Sequence, residues 1–265
     1  MQEKDALAAC PALPLTEKGC AGLNWRIPSD ERHIAFQPSV LLSASELASV
    51  SLELPCFFVL SGETWHSIAL LRNGPNGKCP WIRPDGLSTL RRLPFLLRKH
   101  PFTLLPDGQK FHLGLWQDPN CVGSTGDPIY ENGQLAENLR PMAQDFAKFV
   151  GGIQVAHTLA SQLSDVAVLK PAPHSWGQHI LMQVDEDRLR GLPGDQLEKL
   201  NKSGALGVAH AQMLSRHNLQ RLMSTEGDSP DVNTMVDPPQ THAFFDALAE
   251  DLQAGAEFNP GALSP

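Results

Sequence analysis

From Gln134 to Leu169 the apolar side chains return at steps of three and four: Leu135, Leu139, Met142, Phe146, Phe149, Val150, Ile153. That spacing predicts one long helix with a single buried face, and such a helix needs a surface to cover it. Pro141 suits the first turn or a kink. Gly151-Gly152 loosens the middle without ending it.

The covering surface is legible upstream. "CFFVLSG" from Cys56 and "WHSIALLRN" from Trp65 are aromatic and β-branched, with "SGET" as the turn between them. "FHLGLWQD" (Phe111–Asp118) alternates as a half-buried strand does, and "PDGQ" before it is a turn. "SASELASVSLELP" predicts a short helix capped by Ser43 or Ser45, with Glu46 in its first turn and Pro55 as the stop. After the long helix come a strand, "HILMQVD", then helices in "DEDRLRGL" and "PGDQLEKLNKSG", and a last long helix in "ALGVAHAQMLSRHNLQRLM". The expected fold class is α+β: a β-rich N-terminal portion packed against a C-terminal group of helices. Residues 31–223 form this single domain. Residues 1–30 are expected as an irregular arm. Residues 224–265 form a polar, Pro-rich tail with one short amphipathic helix in "HAFFDALAEDL".

The formal net charge of −8 excludes a general grip on nucleic acid, which needs a clustered cationic face. The basic residues between Arg91 and Lys99 are local. No apolar run reaches the roughly 20 residues of a membrane span. The N-terminus lacks a basic stretch followed by an apolar one, so a cytoplasmic location is expected. Cys10, Cys20, Cys56, Cys79 and Cys121 are odd in number, with no Cys-x-x-Cys, and read as reduced thiols. A Cys10–Cys20 bridge stays open as an alternative.

Several segments in order carry a family resemblance. Arg91, Arg92, Leu93, Pro94 and Phe95 follow the strand pair. The turn "GDPIYENGQLAENL" (Gly126–Leu139) precedes the long helix. "VDEDRLRGLPGDQLEKLNKSGAL" (Val184–Leu206) follows it, and "SRHNLQRL" lies near the end. Over residues 35–223 this order resembles the SapC family of bacterial proteins, named after a surface-layer locus. The resemblance implies no particular chemistry. The chain departs from it at "NGPNGKCPWIRPDG", where the family is usually acidic and Gly-rich, and in the last forty or so residues.

Candidate sites follow from residue chemistry. Arg91 and Arg92 would bind a carboxylate or phosphate through two guanidinium groups. The competing reading makes them the rim of an anchor in which Pro94 and Pro101 aim Phe95 and Phe102 inward. Tyr130, the single tyrosine, and Glu131 sit in a turn; they would line a pocket, or merely shape a β-turn whose Gly133 takes positive φ. Trp176, between His174 and His179, is a further ligand-binding candidate. His157 and His210, one on each long helix, would face each other and hold a divalent metal ion. His217 lies about 10 Å from His210 along that helix, too far to share the ion. Nucleophile-elbow, phosphate-loop and His-Glu-x-x-His motifs are missing.

With no catalytic signature and a polar tail suited to docking, the expected function is a soluble accessory or binding protein that holds a peptide, small ligand or partner enzyme. The histidines support one alternative, a metal-dependent, non-haem oxygenase-type enzyme of specialised metabolism. The family's name supports another, a surface-layer or export component.

Overall fold

The computed structural model describes residues 12–73, 77–107, 110–173 and 180–224. Within the expected arm, Ala12–Pro14 (β1) and Asn24–Trp25 (β2) are paired strands, and the intervening Leu15 and Cys20 are buried. A 3-10 turn at Arg32–Phe36 leads to β3 (Ser39–Leu42), α1 (Ala44–Val50), β4 (Cys56–Ser61) and β5 (Thr64–Leu70). Next come α2 (Phe95–Arg98), β6 (Phe102–Asp107) and β7 (Lys110–Trp116). Four two-residue strands follow: β8 (Val122–Gly123), β9 (Asp127–Pro128), β10 (Tyr130–Glu131) and β11 (Gln134–Leu135). The helical half holds α3 (Arg140–Asp165), β12 (Leu169–Pro171), β13 (Leu181–Val184), α4 (Glu186–Arg190), α5 (Gly194–Ser203), α6 (Ala205–Ser215) and α7 (His217–Met223).

The fold is α+β. Its central sheet is antiparallel, in the order β12-β13-β4-β5-β3. β4 and β5 form the expected hairpin, from Cys56 opposite Ala69 to Ser61 opposite Thr64, and Gly62 supplies the left-handed residue at its turn (φ 55°). Sequence order did not foretell that β13, from the helical half, joins β4, with Leu181 opposite Val59. Two smaller sheets, β1-β7-β6 and β8-β2-β9, use the strands of the expected arm.

α1 starts as expected. Ser43 is its N-cap, and Ser43 N–H and Oγ both donate to Glu46 Oε2, at 3.3 and 3.0 Å. The other oxygen, Glu46 Oε1, accepts Phe95 N–H at 2.5 Å and so ties α1 to α2.

α3 is shorter than the periodic stretch that announces it. Asn132 and Gly133 both take positive φ (51° and 79°), the geometry of a tight hairpin turn, so Gln134–Leu135 leaves that turn as a strand. Leu139 ends a 3-10 turn, and Pro141 sits in the first turn of α3. Phe146, Val150, Ile153, Ala160 and Leu163 make its buried stripe. A Cβ on Gly152 would stand 2.8 Å from Ser43 Cβ, so this glycine lets α3 cross the start of α1 at close range.

The expected last long helix is broken at Arg216. There Arg216 N–H bonds Met213 O (3.3 Å) and Leu219 N–H bonds Arg216 O (3.0 Å), a tightening to three-residue turns. One apolar core runs from Leu15 to Leu222. Both phenylalanines after proline, Phe95 and Phe102, are inside it; Phe95 stacks on Phe149 (4.6 Å) and meets Phe146 edge-on (5.0 Å). Beyond Ser224 the tail and its amphipathic segment lie outside the described residues.

Candidate functional site

The hairpin β6–β7 brings two polar residues together at its open end. His100 directly precedes Pro101 and β6, Asp118 follows β7 by two residues, and Phe102 stands opposite Leu115. Antiparallel pairing therefore places the flanking residues side by side. His100 Nε2 lies 2.8 Å from Asp118 Oδ2, and because the carboxylate only accepts, the imidazole donates. His100, Asp118 and Cys121 are 7%, 3% and 1% exposed.

Asp118 also folds the loop that follows. Its Oδ1 accepts Asn120 N–H at 2.9 Å, and its main-chain oxygen accepts Cys121 N–H (3.0 Å) and Val122 N–H (2.7 Å). The turn carries the Cys121 thiol to the same carboxylate, to which it also donates. Burial opposes charge on Asp118, but the bonds from His100, Asn120 and Cys121 win and hold its carboxyl below the usual range.

His33 completes the cluster from the 3-10 turn. Its ring stacks on His100 (4.1 Å between centroids, 7° between planes). Its Nε2 donates to Leu97 O at 3.0 Å. Burial, then the neighbouring His100, push its pKa down to about 3, against smaller opposing effects of Leu97 and Asp118. His100 Nδ1 has no hydrogen-bond partner among the described residues. The donor atoms of His100, Asp118 and Cys121 lie within 4.8 Å of one another, and they form the one group of three or more such side chains among the described residues.

Most residues singled out from sequence are engaged elsewhere. The side chains of Arg91 and Arg92 are exposed. Arg91 N–H bonds Glu53 Oε2 (2.6 Å), and Phe95 and Leu97 dock inward, which is the anchor-and-rim arrangement. Tyr130 Oη donates to Leu15 O at 2.8 Å, holding the start of the chain to the β10–β11 hairpin. Tyr130→Phe is expected to cost about 1 kcal/mol in urea unfolding, the net worth of one half-buried hydrogen bond. Glu131 is exposed. Trp176, His174 and His179 lie outside the described residues. His157 Nδ1 accepts Trp65 N–H at 3.0 Å, His210 is exposed on α6, and neither belongs to the His100 group.

The segment "SRHNLQRL" is a staple. Ser215 Oγ accepts Cys56 N–H (3.0 Å), and Asn218 Nδ2 donates to Ser51 O (2.9 Å). Arg216 bonds Val184 O. The Arg221 guanidinium lies 4.7 Å over the Trp81 ring and bonds Thr89 Oγ1 (3.0 Å). Just ahead of it, buried Gln212 accepts Val184 N–H (2.9 Å) and donates to Cys56 O (3.1 Å). The sequence reading overlooked the His33–His100–Asp118–Cys121 cluster. Its signal was the "PDGQ" turn, which makes His100 and Asp118 flank one hairpin.

These features define an α+β protein with a buried His–Asp–Cys group at the foot of a hairpin and a C-terminal staple across its central sheet. A family model described as SapC matches residues 15–222, most of the chain, and the protein belongs to the SapC family. The match begins at Leu15, within the stretch whose strands pair into the fold. No curated protein and no solved structure matches the chain. No helix among the described residues is long and apolar enough to cross a membrane.

Proposed function

We propose that this SapC-family protein is an accessory protein that binds a protein or peptide partner. One observation carries the reading: two large aliphatic side chains are exposed side by side on neighbouring strands of the central sheet. Leu60 and Ile180 are 48% and 67% exposed. Ile180 continues the β13 register that sets Leu181 opposite Val59, so it falls beside Leu60. Adjacent aliphatic groups left in water mark contact surfaces more often than ordinary ones. The net charge of −8 favours a partner that frames an apolar anchor with Lys or Arg.

The family-pattern polar groups support the same reading. Tyr130, Ser215, Arg216 and Asn218 are bonded to the chain's own backbone.

The test is purification of the tagged full chain from its native cells, followed by reconstitution with whatever co-purifies at fixed stoichiometry. Leu60→Glu/Ile180→Glu is expected to weaken that complex more than tenfold with an unchanged melting temperature. A monomer by light scattering with no stoichiometric partner, or a complex indifferent to the double substitution, rejects the reading.

A further inference from the structure

We propose that His100 Nε2, an Asp118 oxygen and Cys121 Sγ form a binding site for one divalent transition-metal ion of zinc type. Two observations point to an ion. The first is convergence: nitrogen, oxygen and sulfur donors from two segments, joined by one hairpin, lie within 4.8 Å of one another. Bond lengths of about 2.0–2.3 Å around a tetrahedral centre separate such donors by about 3.3–3.7 Å. The His100–Asp118 contact of 2.8 Å would open by under about 1 Å, and the widest donor pair, at most 4.8 Å apart, would close by roughly 1–1.5 Å. The second is charge. Asp118 is buried, and among the described residues no Lys or Arg pairs with it; its nearest side-chain partner is the His100 ring, through the 2.8 Å hydrogen bond. A carboxylate removed from water ordinarily has a cation beside it.

Binding balances in protons and charge. Two protons now face the carboxylate, His100 Nε2–H and the Cys121 thiol proton. The ion takes both places. Cys121 releases its proton to solvent and binds as thiolate. His100 keeps its proton but moves it from Nε2 to Nδ1, where no hydrogen bond is displaced. Carboxylate, thiolate and the doubly charged ion sum to zero, which suits a buried site. The mixed sulfur, nitrogen and oxygen set selects zinc, cobalt or iron(II) over magnesium and calcium. The fourth position is left for water or an exogenous ligand, as in sites with three protein ligands.

The site is independent of the partner surface and of His157 and His210, so its test is separate. Untagged full-length protein is purified without chelators for metal analysis, then stripped and titrated with Co2+. One equivalent is expected to bind, with a thiolate-to-cobalt charge-transfer band and release of about one proton at neutral pH. Cys121→Ser keeps a hydroxyl on Asp118 and so preserves the turn. It is expected to lose that band and to bind at least about tenfold more weakly at an unchanged melting temperature. His100→Gln should lose binding, while His157→Ala and His210→Ala leave it intact. Absence of saturable Co2+ binding, survival of the band in Cys121→Ser, or loss of binding in His157→Ala overturns the proposal.

Discussion

Lowering the pH from 7 to 5 is expected to cost the fold about 4 kcal/mol through two buried histidines. His33 and His66 both have pKa values pushed down to about 3 from 6.5, first by burial. Next comes a neighbouring imidazole, His100 for His33 and His157 for His66. The unfolded chain therefore takes up protons below pH 6.5 that the folded chain refuses. Stability is fully present above that value and falls with pH at about 1.36 kcal/mol per unit per histidine, or about 2 kcal/mol each by pH 5. Asp118, held low, adds a further loss only below the ordinary carboxylate range. Urea midpoints at pH 7, 6 and 5 check this, and a flat profile contradicts it. His66→Leu separates the two contributions. Neither His66 ring nitrogen has a hydrogen-bond partner among the described residues, so the substitution is expected to halve the slope without a large loss at pH 7.

Gln212→Leu is the most damaging single polar replacement expected, at about 3 kcal/mol. β13 pairs with β4 only at Leu181 and Met182, and beyond them the strands part. Gln212 fills the gap by accepting from Val184 N–H and donating to Cys56 O, as a strand would. Leucine keeps the volume but strands the Val184 N–H in a dry interior, at about 1–3 kcal/mol, and leaves Cys56 O with only the longer contact from Ser215 Oγ (3.4 Å). Chemical denaturation with a circular-dichroism readout measures it. A loss under about 0.5 kcal/mol would mean that water replaces the amide.

The halves of the fold were legible because their periods differ. Phe57–Val59 and Ile68–Leu70 form strands, and Phe146, Val150 and Ile153 fall on one helix face, because burial enforces both patterns. Strand β13 read correctly as a strand, but its place beside β4 did not, since pairing across more than a hundred residues leaves no local mark. The strands at Ala12–Pro14 and Asn24–Trp25 were too short to alternate visibly. The break at Arg216 was hidden because Ser215 gives its hydroxyl proton to Gln212 O (2.7 Å), which the apolar spacing does not encode. The histidine reading went to helices because helical spacing is countable. The cluster at His100 depends on hairpin closure, and His33 reaches it from 67 residues upstream.

The staple formed by Gln212, Ser215 and Asn218 also constrains how the protein is made. Its bonds reach back 156 to 167 residues, to Cys56 and Ser51. While the ribosome still holds α6 and α7 in its exit tunnel, the sheet emerges with one flank unsealed, and nascent chains arrested before Ala205 should remain prey to proteases and chaperones. The sheet's flank is sealed only once the segment through Asn218 has left the tunnel.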